Sequence, residues 1–309
     1  RRNRMKTPPS QLPDVASTTQ RLAVLLHAGL TPTSAWRHVA RGKAKNSIAA
    51  AVAVESSESA GAPERIYRAS ADLPLLDRQA WNSLAAAWFV AGQVGAPLAS
   101  ALRTHARALR MLVHIQREVA TALAAPVSTA RMVLALPAIG LLFGALLGFD
   151  TLGVLFTTPI GWGCIVVGGA LILVAVRWNR RLVRSATPTR AAPGLECELM
   201  AVAVSGGGSL VHARDIVSLA LERFELPGDG DHLDEVLQLS HDAGVPAAEL
   251  LQAEADELRL HADADARAAA AALSVHLMLP LGLCVLPAFM VLGVLPLMVA
   301  VISSTVEGF

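Results

Sequence analysis

The sequence predicts an all-α membrane protein, with two duplicated helical bundles and three transmembrane helices. Three observations carry this. Three long stretches hold no Asp, Glu, Lys or Arg. Elsewhere apolar residues such as Leu22, Leu25, Leu26, Leu98, Leu102, Leu109 and Leu112 recur at three- and four-residue spacing, and no run alternates like a strand for long. One helix corner is also written twice. WFVAGQVGAPLASAL starts at Trp88 and LSHDAGVPAAELL at Leu239, with Gly244 on Gly95, Pro246 on Pro97 and Leu251 on Leu102.

Composition agrees. The 309 residues are 53% hydrophobic but only 4% aromatic, and the mean hydropathy is +0.48. A soluble globular chain rarely reaches that average, so the excess points to membrane spans. The net charge of +1 selects no partner class. Cys164, Cys197 and Cys284 form no CxxC pair, which argues against a zinc site or a disulfide framework. They read as small buried hydrophobes.

Residues 1–20 are a basic N-terminal tail. It opens RRNRMK with no apolar run behind it, so no signal peptide is expected, and the missing initiator Met fits a start after an upstream segment. Residues 21–125 are expected to form the first cytoplasmic bundle. In HAGLTPTSAW, Gly29 is placed to end one helix in the left-handed conformation, Thr31 to cap the next and Pro32 to open it. Gly95 and Pro97 repeat that logic. AVAVESSESAGAPER between them reads as a flexible connector.

The first transmembrane helix is assigned to 126–149, around MVLALPAIGLLFGALLGF from Met132 to Phe149. Residues 150–158 are a short external connector. The second, 159–176, reads PIGWGCIVVGGALILVAV. Each uncharged run is roughly 18 residues, near the minimum for crossing about 30 Å of hydrocarbon. Residues 177–272 form the second bundle, with corners at Gly207 or Gly208 before Ser209 and at Gly244 before Pro246. The third span, 273–303, contains HLMLPLGLCVLPAFMVLGVLPLMVAVI and precedes an external tail, 304–309. RWNRRLVR follows the second span and Arg131 precedes the first, whereas the connector holds Asp150 and no Lys or Arg. The positive-inside rule therefore puts both bundles in the cytoplasm and the C-terminus outside.

Gly140, Gly144 and Gly148 stand four apart and line one helical face, a candidate for span packing. No span interior carries a formal charge, which argues against a transporter or proton channel. Charge instead separates the bundles. Residues 1–131 hold about 17 Lys/Arg against about 7 Asp/Glu, and residues 222–272 about 3 against about 13.

Signals for chemistry are weak. GGGS at Gly206–Ser209 lacks the Lys-Ser/Thr of a phosphate loop. HADADAR offers His261 and Asp265 on one face, too few groups for a metal cage, and sets Asp263 four residues from Arg267. DGDH at Asp229–His232 lacks the rest of a calcium loop, and no GxSxG elbow occurs. Aromatics are too sparse for nucleic-acid stacking. No catalytic, cofactor or metal site is expected, so the chain reads as a non-enzyme.

A duplicated bundle with AGxxxxxA-type corners, each copy feeding a span, resembles the type II secretion system F family of inner-membrane platform proteins. The ending LMLPLGLCVLPAFMVLGVLPLM resembles its Tad (Flp, tight adherence) branch, the TadB/TadC-like members. The likeness runs from Arg21 to Ser303. The SGGGS corner and the short second middle segment depart from it. The resemblance implies a platform at the base of a pilus or secretion machine. A cytoplasmic secretion ATPase would dock beneath it, pilin subunits would pass it, and a sister platform protein or a second copy would accompany it. Candidate ATPase-facing contacts are then Arg37, Arg41, Lys43 and Lys45 on the basic bundle and Asp234, Glu235, Asp256 and Glu257 on the acidic one. A transporter or channel subunit and a membrane-anchored scaffold unrelated to pili remain open.

Overall fold

The computed structural model describes residues 10–44, 47–54, 61–146, 153, 156, 158–185, 192–228, 232–276, 279, 281–296 and 298–299. Every regular element among them is helical. The helices are α1 (Leu12–His27), α2 (Pro32–Ala40), α3 (Ile48–Val54), α4 (Ala62–Ser70), α5 (Leu75–Val94) and α6 (Leu98–Leu146). They continue with α7 (Pro159–Ser185), α8 (Leu195–Ser205), α9 (Leu210–Arg223), α10 (His232–Ala243) and α11 (Ala247–His276). The chain then passes through a π-helical turn at Leu281–Val285, α12 (Leu286–Phe289) and a second π-helical turn at Met290–Val294.

Two compact units emerge: residues 1–116 with 188–264, and residues 117–187 with 265–309. The parts of both bundles that lie within 10–116 and 192–264 thus share one unit. Its centre is α5, whose alanines 80, 85, 86, 87 and 91 are buried along with Trp81, Leu84 and Val90. A helix apolar on nearly every side must be surrounded, and α1, α4, α8 and α9 pack on it. Small alanines let those neighbours approach closely. Trp36 and Trp88 stack at 5.9 Å, and the edges of Tyr67 and Phe89 meet Phe224 at 5.8 and 5.9 Å.

The stretch expected to be a flexible connector is partly helical, because α3 and α4 flank its middle. AVAV lacks a strong breaker, and Gly61 and Pro63 favour a helix start where the connector seemed to continue. Polar side chains tie these elements into the unit. Asp77, in the first turn of α5, accepts from the Gln11 backbone N–H at 2.8 Å and from the Ser10 hydroxyl at 3.1 Å, anchoring the start of α1. Asn82 accepts from the Ser70 hydroxyl at 2.9 Å and donates to the Phe224 carbonyl at 2.8 Å.

The second unit contains α7, which Thr158 caps by accepting from the Gly161 N–H at 3.0 Å. Among the described residues, Gly161–Asn179 is the one helical stretch long and apolar enough to cross a membrane. It exposes Trp162, Val166, Val167, Leu173 and Val174. The expected first span falls on the end of α6 and on residues outside the described set. The expected third span holds the shorter apolar stretch Gly282–Val294. Its two π-helical turns have a local cause. A proline ring clashes with the carbonyl four residues earlier. For Pro287 that is Leu283, in the first π turn, and for Pro296 it is Leu292, in the second. A widened turn relieves the clash.

Gly168 lets α7 approach this stretch. A Cβ there would lie 2.3 Å from Leu292 Cγ. Ala175, Cys284 and Val285 form a small buried cluster in the same unit. Gly168→Leu should force the two apart and lower the thermal midpoint of the detergent-solubilised chain. Gly169→Leu, where an added Cβ meets nothing within 4 Å, should change it little. Equal effects of the two would contradict this packing.

Candidate functional site

The corners are built as their residue types require. Gly29, Gly95, Gly207 and Gly244 have φ of 87°, 70°, 85° and 66°, a region costly for any residue with a Cβ. After Gly29 the Leu30 N–H returns to the Leu25 carbonyl at 3.1 Å, and after Gly95 the Ala96 N–H returns to Ala91 at 3.0 Å. Thr31 accepts from the Ser34 N–H at 3.4 Å with Pro32 opening α2, and Ser209 accepts from the His212 N–H at 3.2 Å. Pro97 and Pro246 immediately precede α6 and α11. The two duplicated corners also carry matching polar contacts. Ser83 and His232 stand at the same distance before Gly95 and Gly244, and His105 and Glu254 at the same distance after. Ser83 meets His105 at 3.0 Å, and His232 meets Glu254 at 3.5 Å.

Around the first of these contacts lies the most concentrated polar chemistry of the described chain. Ser83 on α5, His105 on α6, Glu198 on α8 and Arg259 on α11 are all buried. Ser83 Oγ lies 3.0 Å from His105 Nε2, and His105 Nδ1 lies 3.0 Å from Glu198 Oε1. Arg259 Nη2 donates to Glu198 Oε2, and Arg259 Nη1 donates to Asp256 Oδ1 at 2.7 Å. Burial alone would push the Glu198 carboxyl up, but His105 and Arg259 more than offset it and hold the carboxyl below its ordinary range.

Serine, histidine and glutamate in this order are the members of a nucleophilic triad. The setting denies them that role. Ser83 is 0% exposed, so no substrate reaches its hydroxyl, and Arg259 neutralises the carboxylate that would otherwise serve the imidazole. The single Ser83 proton also has a competing acceptor, the Ala80 carbonyl at 2.9 Å. The cluster is a joint between the two halves of the sequence.

Two glycines fix that joint. Gly194 (φ 70°) opens α8 against the backbone of α11, where an added Cβ would lie 2.6 Å from the Ala255 carbonyl oxygen. One helical turn further along each helix of this crossing stand Glu198 and Arg259. At the other end of α8, a Cβ on Gly206 would lie 2.7 Å from the Val94 carbonyl oxygen. Both ends of α8 therefore rest on backbone, and its one fully buried carboxylate is aimed between them.

The charged residues singled out by sequence lie on surfaces away from this joint. Arg37 on α2 and Arg41 just after it are exposed and make no ion pair among the described residues. Lys43 is half-buried and pairs with Asp14. Lys45 lies outside the described residues. Asp234 and Glu235 are exposed on α10, and Asp234 pairs with Arg214. Asp256 and Glu257 are exposed on α11, with Glu257 3.2 Å from His261. Among the described residues no hydrogen bond or ion pair joins the basic group to the acidic one. Gly140 and Gly144 lie in α6, and Gly148 lies outside the described residues. Asp263 is buried, Arg267 reaches Glu118 at 2.8 Å, and no group of three metal-binding side chains occurs among the described residues. Residues 229–231 of DGDH lie outside the described set.

Sequence reasoning missed the buried joint. Its signals were a lone glutamate inside the apolar run LECELMAVAV and a histidine on the leucine face of α6. It also missed Glu225, the one non-glycine at positive φ among the described residues (53°), which ends α9. The Glu225 carboxylate accepts from the Tyr67 hydroxyl at 3.1 Å, and that bond raises the phenol pKa.

Comparison with known families gives one match. Residues 18–145 fit the family model described as "Type II secretion system (T2SS), protein F". The matched range runs from within α1 almost to the end of α6, and over it the chain is similar to that family. No match was found among curated proteins or among solved structures.

Glu198→Ala leaves Arg259 buried without its main partner and should destabilise the first unit by about 3–5 kcal/mol in denaturant melts. Replacing both Glu198 and Arg259 by methionine should recover much of that loss. A second expectation concerns pH. The folded-state pKa of Glu198 is depressed, so its contribution is complete above the ordinary carboxylate range and fades as pH falls through the lower folded value. The stability gap between the wild type and Glu198→Gln should therefore narrow on acidification below about pH 4. A gap that widened there would contradict the assignment.

Proposed function

We propose that this chain is the inner-membrane platform of a Tad-like or type IV pilus, or of a related type II secretion machine. It would transmit the motion of a cytoplasmic secretion ATPase to pilin subunits leaving the bilayer. The match of residues 18–145 to the secretion-system protein F family carries the reading. The outward apolar face of α7 favours it too, because a helix exposing Trp162, Val166 and Leu173 loses its hydration penalty only in lipid or against a partner. So does the basic run after that face, Arg177 to Arg184, which is the flank expected on the cytoplasmic side.

In this reading all three apolar runs cross the membrane. The two bundles lie in the cytoplasm and the C-terminus outside. The TadB/TadC-like assignment rests on the ending from Leu277 to Met298. The platform does no chemistry of its own. It works as a lever, in which α6 and α11 each hold residues of both units, and a helix transmits axial load through its own backbone hydrogen bonds. A rigid joint at Glu198 would let a push on either half move both.

The motor-facing surface is assigned to the charged residues least engaged within the fold. Arg37 and Arg41 flank the end of α2, and Glu235 opens α10. Lys43 and Asp234 already hold partners and are secondary contacts. Charge reversal at Arg37 and Arg41 should lower recovery of the secretion ATPase with this chain from native membranes roughly tenfold, as expected for loss of complementary rim charges. Partners would be identified by mass spectrometry. Unchanged recovery together with unchanged fibre assembly would remove this surface from the reading.

A further inference from the structure

The solvent side of α6 carries Arg103, Arg107, Arg110 and His114, all exposed. Their spacing of four, three and four residues aligns them in one stripe. The opposite side is buried through Leu102, His105, Ala106, Leu109 and Val113. Arg107 donates to the Thr104 hydroxyl at 3.2 Å. None of the three arginines makes an ion pair among the described residues, and α6 supplies no acidic residue before Glu118. Arg103 and Arg107, and Arg107 and Arg110, stand one turn apart and repel each other.

Lipid is a poor occupant for it. The stripe ends 18 residues, and begins 29, before the uncharged run that starts at Met132 on the same continuous helix. Charge acts over only ~8 Å in physiological salt, so a headgroup contact would be expected at positions nearer that run. Nucleic acid would call for stacking side chains, and the stripe has no aromatic residue. An acidic protein surface remains, and this chain carries one. Glu249, Asp256 and Glu257 are exposed on α11, with the side chains of Asp256 and Glu257 67% and 56% exposed. The positions correspond. Arg107 and Asp256 stand at equal distances after Gly95 and Gly244. They also lie 30 and 31 residues before Pro137 and Pro287 in their respective apolar runs.

We propose that the arginine stripe of α6 docks on the acidic face of α11 of a second copy of this chain. The near-equal sequence spacing to the two apolar runs fits two copies held in one bilayer; that part rests on the membrane reading above, and the charge complementarity does not. Asp256 and Glu257 then serve self-association rather than the motor.

The test uses the full chain in detergent, in two differently tagged forms mixed and copurified. The wild-type pair should associate at low salt and separate in ~0.5 M salt, where screening shrinks to a few ångströms. Arg107→Glu with Arg110→Glu in both forms should reduce association roughly tenfold or more, while circular dichroism and the thermal midpoint stay unchanged. Pairing that variant with a form carrying Glu249→Arg and Glu257→Arg should restore it. Full association of the Arg107→Glu, Arg110→Glu variant with itself overturns the proposal, and so does failure of the swapped pair to recover. If the wild-type copies do not pair but bind vesicles of anionic phospholipid through these arginines, the stripe is a lipid contact and the proposal is wrong. A chain that dissolves without detergent yet still shows the charge-swap rescue would sink the membrane reading and leave the docking intact.

Discussion

The folded helical unit depends on one buried carboxylate. Glu198 sits on α8, a helix whose other inward residues are apolar, and both of its oxygens are used. One faces the imidazole of His105 from the first half of the sequence. The other takes the guanidinium of Arg259 from the second. A carboxylate at this depth is tolerable only because both partners are present, since the desolvation of each ion is repaid by geometry and not by solvent. The same condition makes the arrangement all-or-none. The position of α8 between α5 and α11 is therefore specified by charge as well as by shape.

Shape does the rest, through absence of side chains. Gly194 and Gly206 bring the two ends of α8 onto the backbone of α11 and the end of α5. The alanine-rich α5 has few large knobs to define a unique register with its neighbours. In such a core, apolar packing alone leaves near-equivalent slid arrangements. A hydrogen-bonded ionic joint separates them, because a slip by one turn would strand Arg259 and His105 together. Polar contacts at Asp77 and Asn82 act in the same sense, each joining α5 to a backbone group that no other register would present.

The legible part of this fold was its punctuation. Gly29, Gly95 and Gly244 announced helix ends because only glycine takes a positive φ without cost. Thr31 and Ser209 announced helix starts because their hydroxyls accept orphan N–H groups. These are local demands, written within a few residues of where they act. The joint was not legible for the opposite reason. Glu198 lies 61 residues from Arg259 and 93 from His105, and no local pattern links them. The helices α3 and α4 were hidden by the serine- and glutamate-rich segment between them, which drew the whole stretch into one connector. Gly168 was passed over because the regular spacing of Gly140, Gly144 and Gly148 is a stronger sequence signal than a single close approach.

The triad-like order of Ser83, His105 and Glu198 shows why residue identity is weaker evidence than setting. The distances would suit a hydrolase, and what differs is everything around them. A nucleophile needs an open side, and Ser83 has none. A base needs a carboxylate free to stabilise the imidazolium, whereas here the second oxygen is committed to a fixed cation. A chemical site gains from charge that changes during a reaction, but a joint gains from charge that stays constant. His105 and Arg259 together hold the Glu198 carboxyl below its ordinary range against the opposing effect of burial. The group that could act as a base is held as a strut, and the surfaces left to interact are the exposed charges of α2, α6, α10 and α11.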